Sequence, residues 1–185
     1  FSGTGNMRTI ERITTLTALG EDVSFKDNKE GLIGIRLARE LEHPSKKAEI
    51  FTDASGKTTN VAKLNNEGVT GKYRSSESKE GDDVWGTRGK WVSLNAKIGQ
   101  EPVSVVILDY PKNIGYPTYW HARGYGLFAA NPLGQHEFSG GKEVLNYKLS
   151  AGQSVTFRYK VLINSGSNLT NNQVITEFNR FAASK

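Results

Sequence analysis

The sequence predicts a mostly β protein: an antiparallel β-sandwich, supersandwich-like and not necessarily complete, followed by one C-terminal α-helix. The 185 residues are 36% hydrophobic and rich in Gly, Asn, Ser and Thr, a composition typical of short strands joined by polar turns. Alternating polarity recurs along most of the chain and changes to helical spacing only near its end. A chain of this length has ample material for a core, so we expect residues 1–185 to form one domain.

The N-terminal part carries three predicted strands. Met7–Leu19 is rich in Thr and Ile with a period near two, which predicts a long strand with some helical ambiguity around Glu11. Asp22–Phe25 predicts a short strand. Leu32–Leu37 predicts another, which begins after Gly31 and runs into a charged end.

Residues 54–83 are polar and nearly without large apolar side chains. We interpret this stretch as a surface excursion that is mobile in parts. A structureless loop of this length is unusual in a compact domain. We therefore expect short edge strands within it, or a cover over a cleft.

Strand patterns resume after Trp85. Trp91–Lys97 alternates as a half-buried strand, whereas Val103–Leu108 is apolar on both faces and predicts a central strand covered on both sides. Further strands are predicted at Tyr119–His121, Gly124–Ala130, Val144–Leu149 and Ser154–Ile163. The last is the clearest, since five apolar side chains alternate with polar ones.

The spacing changes at Thr170. Thr170 and Gln173 form a capping-box pattern, and Val174, Phe178 and Phe181 follow at helical spacing. This predicts a single C-terminal helix that packs on the sheet or across the end of the sandwich.

Composition and motifs exclude several classes of protein. The net charge of +5 is scattered, without a basic helix or an arginine-rich stripe, so we expect no nucleic-acid partner. The longest apolar run, residues 103–108 with one serine, is too short to span a membrane. There is no cysteine, and no histidine or carboxylate pattern has metal-ligand spacing, so we expect no metal and no other cofactor. The oligomeric state is left open.

The segment Asp109–Gly134 holds most of the candidate chemistry. It surrounds His121 and Arg123 with the aromatic residues Tyr110, Tyr116, Tyr119, Trp120, Tyr125 and Phe128. Flat aromatic faces beside a few hydrogen-bonding groups suit a ring-shaped polar ligand such as a sugar. The alternative is that these residues fill a β-sheet core.

Three residues of this segment are candidates for chemistry. His121 shares a strand face with Tyr119 and Arg123, and the nearby positive charge lowers an imidazole pKa, so His121 is a candidate acid or base. The alternative is a partly buried histidine bonded to a backbone carbonyl. Arg123 is suited to hold a carboxylate or a hydroxyl pair, or to pair with a structural acid such as Asp109. Asp109 ends the apolar strand. It is a candidate base or hydrogen-bond acceptor, and the alternative is that it caps a turn.

A second aromatic and basic group lies upstream. The pattern predicts that a cation, Arg88, stacks on the ring of Trp85 or Trp91, in a structural or a ligand-binding role. Minor candidates are His43 and His136, both interpreted as loop residues, and a same-face pair of Arg36 with Glu40.

Four segments carry a wider pattern. They are NKEGLIGIRLARELE (Asn28–Glu42), WGTRGKWV (Trp85–Val92), the aromatic segment Asp109–Gly134 and LSAGQSVTFRYKVLI (Leu149–Ile163). Through them the chain resembles a bacterial family described as methane-oxygenase-like, or PmoA-type. The resemblance implies a periplasmic or secreted protein of roughly twice this length, with a fold similar to the β-sandwich of sugar mutarotases. The start at Phe1, with Met7 as the only methionine, agrees with a C-terminal portion of a longer protein.

The copper membrane oxygenase that the family's name implies is rejected here, because three isolated histidines and no spanning helix cannot support it. The leading hypothesis is a carbohydrate-active enzyme of the epimerase, lyase or hydrolase type. His121 is its catalytic group, with Asp109 or Glu40 as partner, and Arg123, Tyr119, Tyr125, Trp85 and Arg88 contact the sugar. The alternatives are a non-catalytic carbohydrate-binding domain and a structural domain in which the aromatic residues are core. Burial of Tyr119, His121 and Arg123 discriminates between them.

Overall fold

A computed structural model describes residues 1–45, 53–59 and 66–184. The strands are β1 (Ser2–Thr4), β2 (Met7–Thr17), β3 (Val23–Phe25), β4 (Ile33–Arg36), β5 (Lys72–Ser75), β6 (Trp91–Ile98), β7 (Glu101–Asp109), β8 (Tyr119–Ala122), β9 (Leu127–Asn131), β10 (Tyr147–Leu149) and β11 (Ser154–Ser165). The helices are α1 (Gln135–Ser139) and α2 (Asn171–Ala183), with short 3₁₀ turns at Arg39–Leu41 and Gly81–Val84.

Within the described residues the strands form three antiparallel sheets. A six-stranded sheet has the order β1-β2-β11-β7-β6-β5, and smaller sheets have the orders β4-β9-β8 and β10-β3. The longest ladder joins β11 to β2, from Ser154 opposite Thr17 to Asn164 opposite Met7. Buried side chains of the large sheet pack against those of the smaller sheets in one core. The predicted class, mostly β in antiparallel sheets with a C-terminal helix, is confirmed.

Strand β7 is covered on both faces, as its apolar run predicted. Val105 and Ile107 lie in the core between the sheets, whereas Val106 and Leu108 face a second cluster formed with α2. Phe181 of α2 is fully buried there. Complete burial of such a side chain contributes about 1.5–3 kcal/mol, so this stripe holds the helix on the outer face of the large sheet.

The predicted start of α2 is confirmed. The backbone nitrogen of Thr170 donates to Gln173 Oε1 at 2.8 Å, and Gln173 N donates to Thr170 Oγ1 at 3.4 Å. This reciprocal pair satisfies donors that the first turn of a helix leaves free.

The polar stretch 54–83 is only partly a surface excursion. Its expected edge strand is β5, at the edge of the large sheet, and Tyr73 of that strand is fully buried. Residues 60–65 lie outside the described residues. The C-terminal end of the stretch therefore belongs to the sheet, because Tyr73 and Ser75 face inward while Lys72 and Arg74 face outward.

A short helix, α1, precedes the predicted C-terminal helix and was missed, and His136 lies in it rather than in a loop. Asp27 anchors this region: its carboxylate accepts hydrogen bonds from the backbone nitrogens of His136, Leu145 and Asn146, each at 2.9 Å. A five-residue helix is too short to show a helical period in the sequence, and its stability comes from such distant contacts.

Candidate functional site

Strand β8 directs its side chains to two different environments. Trp120 is fully buried in the core between the sheets, and its Nε1 donates to Gly89 O at 2.9 Å. Tyr119 and His121 point to the opposite face, where both pack against Phe138 of α1. The alternation of a strand thus places these two side chains on the face of the smaller sheet that is turned away from the core.

We call Trp85, Tyr119, His121, Arg123 and Phe138 the aromatic cluster. Phe138 lies at its centre, with ring centroids 5.6 Å from each of the Trp85, Tyr119 and His121 rings. The Trp85 and His121 rings are 6.3 Å apart, and the Arg123 guanidinium lies 4.3 Å from the centre of the Trp85 ring. Tyr119 and His121 are buried, at 6% and 4% exposed, whereas Trp85 and Arg123 are half-buried.

The protonation state of His121 follows from its contacts. Its Nδ1 lies 3.2 Å from the backbone oxygen of Lys29. A carbonyl only accepts hydrogen bonds, so Nδ1 carries the proton and Nε2 presents a lone pair. Burial, and then the positive charge of Arg123, lower the pKa of His121. The imidazole is therefore neutral at physiological pH.

Three polar atoms of the aromatic cluster are buried and have no hydrogen-bond partner among the described residues: Trp85 Nε1, His121 Nε2 and Arg123 Nε. Buried polar atoms are nearly always paired, and each unpaired one costs about 1–3 kcal/mol. Trp85 and Arg123 offer donors, whereas His121 offers an acceptor. The cluster thus presents complementary groups of both kinds beside aromatic faces.

Arg88 lies next to the aromatic cluster in a different electrostatic situation. Its guanidinium stacks on the Tyr119 ring at 4.6 Å and forms a salt bridge with Glu143. Its Nη1 also donates to the backbone oxygens of Gly115 and Pro117, at 3.0 and 2.7 Å. The charge of Arg88 is therefore already paired inside the protein.

The predicted arrangement of Arg88 between two tryptophans is corrected. Trp91 lies on the other face of the molecule, in the cluster under α2, and Arg123 is the cation that stacks on Trp85. The sequence indicated a stacked arginine but not which ring it meets, because the partners come from segments more than thirty residues apart.

Asp109 is not brought together with His121. It is fully buried at the end of β7, where its carboxylate accepts from Asn113 Nδ2 at 2.7 Å and from Thr118 N at 2.9 Å. It lies opposite Tyr159 on the face of the large sheet that is directed into the core. Burial raises the pKa of Asp109 to about 7. Its bonds hold residues 110–118, which favours the turn-capping alternative over a role beside His121.

Tyr125 lies outside the aromatic cluster. It is 40% exposed in the turn after β8, and the Arg36 guanidinium lies 5.4 Å from its ring centre. Arg36 Nη1 donates to Tyr125 O at 2.8 Å, so the expected pair of Arg36 with Glu40 is replaced by this contact. His43, the remaining minor candidate, has its Nδ1 3.0 Å from the backbone oxygen of Gly71.

The cluster member that sequence reasoning missed is Phe138, since nothing marked α1 as an element. Within residues 1–45, 53–59 and 66–184, no group of three or more histidine, aspartate or glutamate side chains is placed to hold a metal ion. None of the helices in these same ranges is long and apolar enough to cross a membrane.

Comparison with known proteins gives one match. A family model described as "Family of unknown function (DUF6807)" matches residues 1–178. No curated protein and no solved structure matches the chain.

Proposed function

Since the chain belongs to the family of unknown function DUF6807, we propose its function from the site: the aromatic cluster binds a small hydroxylated ligand of the carbohydrate class. The observation that carries this proposal is the presence, in one cluster, of three buried polar atoms without partners among the described residues. A sugar hydroxyl both donates and accepts. It can therefore accept from Trp85 Nε1 or Arg123 Nε and donate to His121 Nε2.

The competing explanation is that the aromatic cluster is only core packing. The burial of Tyr119 and His121, and the bond from His121 to Lys29 O, support that alternative. It leaves three polar atoms unpaired, which costs about 1–3 kcal/mol for each. Trp85 and Arg123 are also half-buried rather than sealed. Half-burial fits both explanations, whereas ligand binding gives the three unpaired atoms partners and packing does not.

A second candidate is the carbohydrate-active enzyme, and the state of His121 favours it. A neutral imidazole with a free Nε2 is suited to accept a proton from a substrate hydroxyl or carbon. Its lowered pKa keeps it in that form at neutral pH. Asp109 hydrogen-bonds elsewhere, so this mechanism has His121 as base and Arg123 as the group that holds the substrate. Whether the reaction is an epimerisation, a lyase reaction or a hydrolysis depends on the substrate.

The resemblance to the PmoA-type family and to the sugar mutarotase sandwich belongs to the same proposal, as does a periplasmic or secreted location. The antiparallel sheets and the C-terminal helix agree with such a sandwich. A shared architecture is weak support for a shared activity, because unrelated functions occur on one fold. The geometry of the aromatic cluster therefore carries more weight than the resemblance.

The test is a screen of neutral and acidic mono- and oligosaccharides, followed by calorimetric titration of the hits. Trp85→Phe keeps a ring but removes the indole N–H, and we expect it to weaken binding about tenfold, the effect of one lost hydrogen bond. Trp91→Phe is the matched control, since Trp91 is buried under α2, and it should leave the affinity unchanged. An absence of any bound saccharide, or equal losses in the two variants, overturns the proposal.

For the enzyme candidate, each hit is incubated with the protein and followed by NMR for new sugar signals. Turnover that disappears in His121→Gln but persists in Trp91→Phe supports the enzyme. Binding without turnover leaves the non-catalytic domain as the function.

A further inference from the structure

We propose that the ligand of the aromatic cluster is an acidic sugar whose carboxylate pairs with Arg123. This inference rests on the proposed function and narrows it from carbohydrates in general to those that carry a carboxylate. Its basis is the contrast between two arginines that both stack on rings of the aromatic cluster.

Arg88 and Arg123 differ in how their charge is balanced. Arg88 forms a salt bridge with Glu143 and donates to two backbone oxygens. Arg123 has no salt bridge among the described residues, and its buried Nε has no partner there. A half-buried guanidinium without a counter-ion is electrostatically unfavourable, and a ligand carboxylate removes that penalty.

Among the described residues, the neighbours of Arg123 do not supply the missing negative charge. Trp85 is uncharged, and His121 is neutral because its Nδ1 proton is held by Lys29 O and its environment disfavours a second proton. After Arg123, the charged groups that act on the pKa of His121 are Glu30 and Lys29, which carry opposite charges and whose side chains lie 4.0 Å apart. Within residues 1–45, 53–59 and 66–184, the positive charge of Arg123 is therefore the one in this cluster that no ion pair balances.

The kinds of hydrogen-bonding group also fit an acid better than a neutral sugar. Trp85 Nε1 and Arg123 Nε both donate, and an ionised carboxylate only accepts. Once the half-buried side chain turns its buried Nε toward the ligand, Arg123 Nε and a neighbouring Nη can bind both carboxylate oxygens in the two-pronged arrangement typical of arginine. The lone pair of His121 Nε2 then accepts from a ring hydroxyl of the same ligand, so each of the three groups has a partner.

The experiment compares saccharides that differ only in the charge of one group. Glucuronate and galacturonate, with their short oligomers, are titrated into the 185-residue protein in parallel with their methyl esters and with glucose and galactose. We expect the acids to bind at least about tenfold more tightly than the esters, since charge-assisted hydrogen bonds are about twice as strong as neutral ones. The preference should shrink as salt concentration rises.

Arg123→Gln should bring the affinities for acid and ester to within about twofold of each other, since a neutral amide gains no charge-assisted bond. Arg36→Gln is the matched control. It removes an arginine that also stacks on an aromatic ring, but on Tyr125 outside the aromatic cluster, so it should keep the preference. Arg123→Lys, which keeps the charge without the two-pronged donor, should retain part of it.

The outcomes separate this inference from the proposed function. Equal or tighter binding of the esters and neutral sugars to the wild-type protein overturns the acidic ligand and leaves carbohydrate binding standing. Binding of none of these compounds overturns both. If Arg123→Gln does not fold, the wild-type comparison of acid with ester still decides the matter.

Discussion

Two regions of the molecule, the surroundings of Asp109 and the aromatic cluster, contrast in how their polar groups are paired. Around Asp109, the side chain of Asn113 donates to Asp109 Oδ1 and to Arg158 O, at 2.7 and 2.8 Å, and accepts from Arg158 N at 2.8 Å. The backbone nitrogen of Thr118 donates a hydrogen bond to the other oxygen of the Asp109 carboxylate. In the aromatic cluster, by contrast, Trp85, His121 and Arg123 each leave one buried atom without a partner among the described residues.

The contrast separates a structural role from a binding role. Near Asp109 one buried hydroxyl, that of Tyr159, also has no partner among the described residues, but the groups that hold the turn are paired. In the aromatic cluster two of the three unpaired atoms belong to the half-buried residues Trp85 and Arg123. A buried polar group that lowers the stability of the fold, and makes no hydrogen bond that supports it, is expected to bind a ligand. We therefore expect changes near Asp109 to affect stability and changes in the cluster to affect binding.

The largest expected effect is on pH dependence. Asp109 has a folded-state pKa of about 7, above its ordinary value of 3.8. The folded state therefore holds the proton more tightly than the unfolded state. The stability of wild type relative to Asp109→Asn is greatest below pH 3.8, falls as the pH rises, and levels off above pH 7. At 1.36 kcal/mol per pKa unit the total change is at most about 4 kcal/mol.

The check is urea unfolding of both proteins at several values between pH 4 and pH 8. Parallel pH profiles for wild type and Asp109→Asn would show that the carboxyl ionises normally in the folded protein. The structural role of Asp109 in this comparison would then be contradicted.

A somewhat smaller effect is expected for Asn113→Ala. The change removes a side chain that makes three hydrogen bonds, and it leaves Arg158 N and one Asp109 oxygen without their partner. We expect a loss of about 3 kcal/mol in the free energy of unfolding, measured by urea denaturation, with the saccharide affinity of the folded protein little changed. A loss below about 1 kcal/mol would contradict a structural role for this network.

The smallest effect on stability is expected for Trp85→Phe. This change removes a buried N–H that has no partner among the described residues, so the free energy of unfolding should stay within about 0.5 kcal/mol of wild type or rise. Thermal unfolding compares this variant with Trp91→Phe. The Trp91 ring fills the cluster under α2, so its replacement by a smaller ring should lower the stability of the protein more. A large destabilisation by Trp85→Phe alone would favour the packing alternative for the aromatic cluster.

Much of the fold was predictable because it depends on local patterns. Alternation along Ser154–Ile163, the two-sided apolar run of Val103–Leu108 and the capping box at Thr170 correspond to β11, β7 and the start of α2. Strand ends were less accurate: Gly124–Ala130 became β9 at Leu127–Asn131, because Arg123 N donates to Leu127 O across a turn. Turn geometry of that kind depends on both flanking strands.

The site was predictable only in part. Alternation within β8 correctly separates Trp120 from Tyr119 and His121, since neighbouring side chains of a strand point to opposite faces. The central position of Phe138 depends on α1, a five-residue helix held by Asp27 from more than a hundred residues away. No local pattern carries that information.

The sequence by itself determined the strand periodicity, the covered central strand, the capped terminal helix and the supply of aromatic and basic side chains in residues 85–134. Only the tertiary structure decided that Arg88 pairs with Glu143 while Arg123 has no salt bridge in the part of the chain that the structure describes. It also decided that Asp109 faces the core while His121 faces Phe138. The reason is physical. Periodicity arises from the backbone of each element, whereas charge pairing and burial depend on which distant segments the packed sheets bring into contact.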